Sequence, residues 1–73
     1  MVDIPKLRSR MVLKGYNQKS LAEEMTARGV KTSENTLSSM MNGRSKFDTD
    51  DADVICEILD IKEGAEKADI FLA

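Results

Sequence analysis

At 73 residues, 41% of them hydrophobic and 4% aromatic, the chain suits one small domain, here residues 1–73, and excludes an extensive core. It has no histidine and a single cysteine, Cys56, so the commonest general base and metal ligand is missing and an internal disulfide is ruled out. The net charge of −2 argues at first against a nucleic-acid partner, yet residues 1–46 carry nine basic and four acidic groups while residues 47–73 carry two basic and nine acidic ones.

A polyanion responds to the face it meets, because screening limits electrostatic reach to ~8–10 Å at physiological salt. The lopsided charge is therefore compatible with a basic working face and an acidic rear. No apolar run approaches the ~20 residues that span a bilayer, and the N-terminus has no signal-peptide core. The expectation is a cytoplasmic protein that does not engage membranes.

The periodicity predicts five helices and no strand. The first covers roughly Ile4 to Lys14, with Pro5 in its first turn. Leu7, Met11 and Val12 form its apolar stripe, and Gly15 follows as a C-terminal stop. The second starts after Asn17, a good N-cap, and ends near Arg28 before Gly29, with Leu21, Ala22 and Met25 at core spacing and Val30 returning to the core. The third begins near Ser33, capped by Thr32 or Ser33, and ends at Asn42-Gly43, with Leu37 and Met40 or Met41 facing inward.

Phe47 is expected to anchor the next loop. The fourth helix opens at Thr49, where Asp50 and Asp51 favour the positive end of the helix dipole, and it buries Ala52, Ile55, Ile58 and Leu59. A last helix lies within Lys62 to Leu72, its start weakened by Gly64. Cys56 lies among apolar neighbours on the fourth helix and reads as a small core side chain.

Gln18, Leu21-Ala22, Gly29-Val30, Ser33, Thr36-Leu37-Ser38 and Asn42-Gly43-Arg44 occur in an order that resembles the Cro/C1-type, or XRE-like, helix-turn-helix family of phage repressors and small bacterial regulators. Ile70-Phe71-Leu72-Ala73 also resembles the tail of small prophage members. The resemblance covers about residues 6–72. It implies an all-α, five-helix, lambda-repressor-like domain with the helix-turn-helix in helices 2 and 3, and a repressor that binds double-stranded DNA.

Two departures stand out. The stretch from Met25 to Ser33 is about five residues longer than the family's usual connection, which predicts a longer second helix and a wider turn. Met11 and Met41 occupy positions where many members pair an Arg with a Glu, an apolar replacement that spares two charges their desolvation.

The resemblance places the third helix in the major groove, where Glu34, Asn35, Ser38 and Ser39 would face base edges. Asn can bond adenine N6 and N7 together, and Glu can accept from cytosine N4. Each also has a structural reading, Glu34 as a first-turn charge and Asn35 and Ser39 as exposed polar positions. Phosphate contacts are expected from Asn17, Gln18, Lys31, Asn42, Arg44 and Lys46, with Asn42 and Gly43 offering backbone N–H groups. Arg10, Lys19 and Lys31 are weaker candidates, Lys31 depending on the path of the lengthened turn.

Useful specificity needs two half-sites ~34 Å apart. A palindromic operator and a homodimer are therefore expected, with Ile70, Phe71 and Leu72 as the dimer or partner surface unless they close the core. No cofactor, metal, small-molecule substrate or enzymatic activity is expected: the Asp48-Asp50-Asp51-Asp53 cluster lacks the glycine and terminal glutamate of a calcium loop. The competing reading is a helical protein-binding module, such as an antitoxin, an antirepressor or a transcription-machinery adaptor working through its acidic half.

Overall fold

Short polar side chains placed one residue ahead of an apolar period set where the helices begin. In a computed structural model that describes residues 2–62 and 64–72, these are α1 (Ile4–Leu13), α2 (Gln18–Ala27), α3 (Glu34–Met41), α4 (Thr49–Ile58) and α5 (Ala65–Phe71), with no strand among the described residues. Asp3 caps α1 by accepting from the Lys6 N–H, and Pro5 occupies the first turn. Asn17 and Ser20 form a reciprocal capping box on α2, as do Asp48 and Asp51 on α4. Ser33 caps α3 through the Thr36 N–H at 3.1 Å. Gly64 leads into α5 with no side-chain cap, which accounts for that helix starting only at Ala65.

Four helices end in the same way. The residue after the C-cap is left-handed, and two N–H groups fold back onto the last carbonyls. For α2 these bonds run from Gly29 to Thr26 and from Val30 to Met25, which draws Val30 against the core. Glycine fills the left-handed position after α1, α2 and α3, whereas Asp60 occupies it after α4 with φ 55°.

Leu7 and Met11 of α1, Leu21, Ala22 and Met25 of α2, and Leu37, Met40 and Met41 of α3 enter one core with α4, Ile61 and the end of α5. α2 packs against both α3 and α4, and α1 packs against α5. α4 buries Cys56 as expected and Val54 in addition to the expected stripe, because a helix covered on two sides needs apolar residues on both. Val12 departs from expectation. It is 75% exposed, since it lies about 100° round the helix from Met11, on the side that α1 leaves uncovered. Phe47 packs edge-on against Phe71, with ring centroids 5.8 Å apart, and anchors its loop.

The lengthened connection between α2 and α3 occupies residues 28–33 and is fastened from inside. The Thr26 hydroxyl accepts the Thr32 N–H at 3.0 Å and faces the carbonyls of Ala22 and Thr32 at 3.0 and 2.9 Å. Thr32 is 7% exposed, and its own hydroxyl donates to the Val30 carbonyl. Arg28 ties the end of α2 to α4 by bonding both Glu24 and Glu57, and the Glu24 bond raises its pKa above the ordinary arginine value. The orientation of α3 is thus set by polar bonds in the turn as well as by the core beneath it.

Candidate nucleic-acid interface

α3 divides its eight residues cleanly. Leu37, Met40 and Met41 are buried, Glu34, Asn35 and Thr36 are exposed, and Ser38 and Ser39 are half-buried beside them. Asn35 and Glu34 make no hydrogen bond or ion pair with another described side chain, so both leave their polar atoms available. The Ser38 hydroxyl accepts a long 3.4 Å bond from the Asn42 amide, and the Ser39 carbonyl receives the N–H groups of Arg44 and Ser45.

Beside the leading end of α3, a groove is lined by Arg8 and Val12 of α1, by Asn17, Gln18 and Lys19 at the start of α2, and by Glu34. Met11 and Met41 line it as well, 4% and 3% exposed; the pair that replaces the Arg–Glu combination lies within the core. No hydrogen bond joins Gln18 to Glu34, although they share the groove. The Asn17 side-chain oxygen is occupied by the Ser20 N–H at 2.8 Å, and its amide nitrogen has no acceptor among the described residues. On the other side of α3, Arg44 and Lys46 lie in the loop to α4, both exposed; Lys31 is exposed in the α2–α3 turn.

The basic residues fall into two sets. Arg10 pairs with Glu66, Lys14 with Asp60, Arg28 with Glu24 and Glu57, and Lys67 with Asp53. Seven have no carboxylate partner among the described residues: Lys6 on α1 and Lys62 ahead of α5, and Arg8, Lys19, Lys31, Arg44 and Lys46, which lie around α3. The face bearing the outward residues of α3 therefore keeps its cations, while several carboxylates of α4 and α5 are matched by cations elsewhere.

An exposed polar rod, flanked by uncompensated cations and seated on the helix before it, is the arrangement of a helix-turn-helix. Residues 6–64 match the Cro/C1-type HTH DNA-binding domain, four-fifths of the chain. The chain belongs to that family. Neither a curated protein nor a solved structure gives a significant match.

Within this Cro/C1-type domain several expected residues need correction. Asn42 and Gly43 do not offer their backbone N–H groups. Asn42 donates to the Ser38 carbonyl at 2.9 Å and Gly43 to Met40 at 3.2 Å, because the C-terminal cap of α3 consumes them. The next backbone donors along the loop, at Lys46 and Phe47, have no acceptor among the described residues. Arg10 is claimed by Glu66. Ile70 and Phe71 are 3% and 7% exposed, drawn inward by the core, which removes two of the three residues expected to form an exposed apolar surface; Leu72 alone is outside, at 78%.

Sequence reading missed Arg8 and Thr36. Arg8 lies one turn before Met11 and therefore on the same side of α1, a relation contained in the helical spacing that gains meaning only with Met11 placed beside the α2 start. Thr36, a motif position in the sequence, is exposed beside Asn35 with its hydroxyl 2.9 Å from that of Ser33.

Proposed function

We propose that this Cro/C1-type domain is a sequence-specific transcriptional regulator of the phage-repressor kind, acting in the cytoplasm on double-stranded DNA. α3 enters the major groove. Asn35 bonds adenine, Glu34 accepts from cytosine N4, and Ser38 and Ser39 contact neighbouring bases or sugar–phosphate. Gln18 and the Asn17 amide meet phosphate at the start of α2, where the helix dipole favours an anion. Arg44, Lys46 and the unsatisfied backbone donors of Lys46 and Phe47 meet it on the opposite flank, and Lys31 adds charge at the turn.

The observation that carries this reading is the separation of charge and polarity at α3. Three exposed polar residues lie on its outer face, and the cations around it have no internal carboxylate. Four carboxylates of the acidic half, Asp53, Glu57, Asp60 and Glu66, are held by cations of the same chain, which weighs against the protein-adaptor reading for that part of the surface. One domain touches too few phosphates and bases for high specificity. The operator is accordingly proposed to be a palindrome read by two copies about one helical turn, ~34 Å, apart.

Selection of bound duplexes from a random library tests the proposal directly. A two-fold-symmetric consensus, bound with strong salt dependence, is the expected result. Recovery of no enriched sequence, with no salt-sensitive binding to the pool, would refute it.

A further inference from the structure

We infer that Arg8 is a DNA-contacting residue that also offsets the charge of Glu34, so that a carboxylate at the tip of α3 can approach a polyanion. The inference rests on the DNA-binding reading above and deepens it. Glu34 is exposed at the leading end of α3, where phosphates of the same groove come within the ~8–10 Å over which charges act at physiological salt. Unopposed, that charge repels the duplex.

The groove beside it holds two cations, Arg8 and Lys19, and no other carboxylate among the described residues. Its floor is formed by Met11 and Met41, so an Arg–Glu pair that would engage Arg8 or Glu34 from below is lacking. Neither Arg8 nor Glu34 has an ion-pair partner among the described residues. Arg8 is consequently within the same groove as Glu34 without being neutralised by it, which leaves its guanidinium for a second anion.

The two cations differ in what they can do. An arginine fork binds a phosphate through two parallel N–H donors, whereas an ammonium acts as a point charge. Arg8 is also held by a rigid base, since its neighbours Leu7 and Met11 on α1 are both buried. The phosphate beside the Glu34-facing base therefore receives the Arg8 fork, and the same guanidinium lowers the cost of bringing the Glu34 carboxylate to cytosine. Gln18, across the groove, supplies a neutral donor to the same stretch of backbone.

A double-mutant cycle separates this from a general basic surface. Binding of wild type, R8A, R8K, E34Q and the R8A/E34Q double variant is measured by fluorescence anisotropy over a salt series, on a random-sequence duplex pool and on a duplex recovered by selection. Each protein is also melted without DNA. R8A is expected to bind roughly tenfold more weakly on both duplexes, as befits one charge-assisted contact, and to flatten the salt slope by about 0.9.

In the E34Q background the same change is expected to cost only about threefold, because the neighbouring repulsion has been removed. R8K is expected to keep the salt slope and lose part of the affinity. Equal losses in both backgrounds, an unchanged salt slope in R8A, or a loss that tracks a lower melting temperature would overturn the inference. Failure of the wild type to bind either duplex would instead overturn the DNA-binding reading on which it stands.

Discussion

Replacing Thr26 by valine keeps the shape of the side chain and its β-branching while deleting one hydroxyl, which isolates the bond network of the α2–α3 turn. Two things are lost. The hydroxyl hydrogen no longer reaches the Ala22 or Thr32 carbonyl, at 3.0 and 2.9 Å, and the Thr32 N–H, 3.0 Å from the oxygen, has no acceptor. A neutral hydrogen bond is worth about 1 kcal/mol net, and a donor stranded in a part-buried site adds about 1–3 kcal/mol, so Thr26→Val should destabilise by about 2–4 kcal/mol. For a domain of this size that lowers the melting temperature by roughly 10–20 °C.

Thr26→Ser, which keeps the oxygen, is the control. Thermal and urea unfolding followed by circular dichroism read the stability, and anisotropy on the duplex pool at low temperature reads whether α3 is still aimed. A second, independent fall in affinity is expected, because Thr32 adjoins the Ser33 cap from which α3 starts. If the valine variant melts within about 2 °C of the serine variant, contrary to the spacing of several degrees expected per kcal/mol, the turn is not held by this hydroxyl.

Asp60→Gly should stabilise by about 0.5 kcal/mol in urea denaturation: relief of a left-handed φ of 55° outweighs the loss of an exposed 3.8 Å pair with Lys14. Burial is the chief reason that Asp51 has a pKa above its ordinary value of 3.8, with the neighbouring Asp48 charge adding to it. Because the folded state holds this proton more tightly, the Asp51 contribution favours folding below the unfolded-state pKa and is lost as pH rises through the folded-state value. Asp51→Asn should therefore be slightly more stable than wild type at neutral pH, by no more than about 0.5 kcal/mol after solvent screening, with the gap closing in acid; a gap that widens in acid would contradict this. Arg44→Ala should weaken binding alike on all sequences and flatten the salt slope by about one unit, whereas Asn35→Ala should relax preference at one base position by roughly 1–3 kcal/mol. Matched titrations on selected and random duplexes distinguish the two.

The helices were legible because their ends carry local signals. Asn17, Ser33, Gly15, Gly29 and Gly43 act within four residues of their own positions, so a linear reading finds them. Residues whose role depends on a distant partner were not legible. Arg10 looks like any basic helix residue until Glu66 of α5 is beside it, and Ile70 with Phe71 looks like an interface until Phe47 closes over the ring. The Asn42 and Gly43 donors failed for a subtler reason. The same Asn-Gly signal that marks a helix end implies that its N–H groups are folded back onto the helix, so the cap and the phosphate contact compete for one set of donors.

That competition also bears on how a chain of net charge −2 can engage a polyanion. Charge counted along the sequence assigns Arg10, Lys14 and Arg28 to the basic half, yet in three dimensions each faces a carboxylate of α4, α5 or the segment joining them. These pairs are exposed and individually contribute little to stability. Their consequence is distributional. They match Arg10, Lys14 and Arg28 to carboxylates, while the cations around α3 stay unmatched. If those carboxylates are in reach of DNA, neutralising Glu57 and Asp60 together in E57Q/D60N would tighten binding to the random duplex pool and flatten its salt dependence. If the acidic half is held clear of the duplex, as the separation of the two faces requires, that double substitution leaves both unchanged, and any tightening would show that the two faces are not electrically independent.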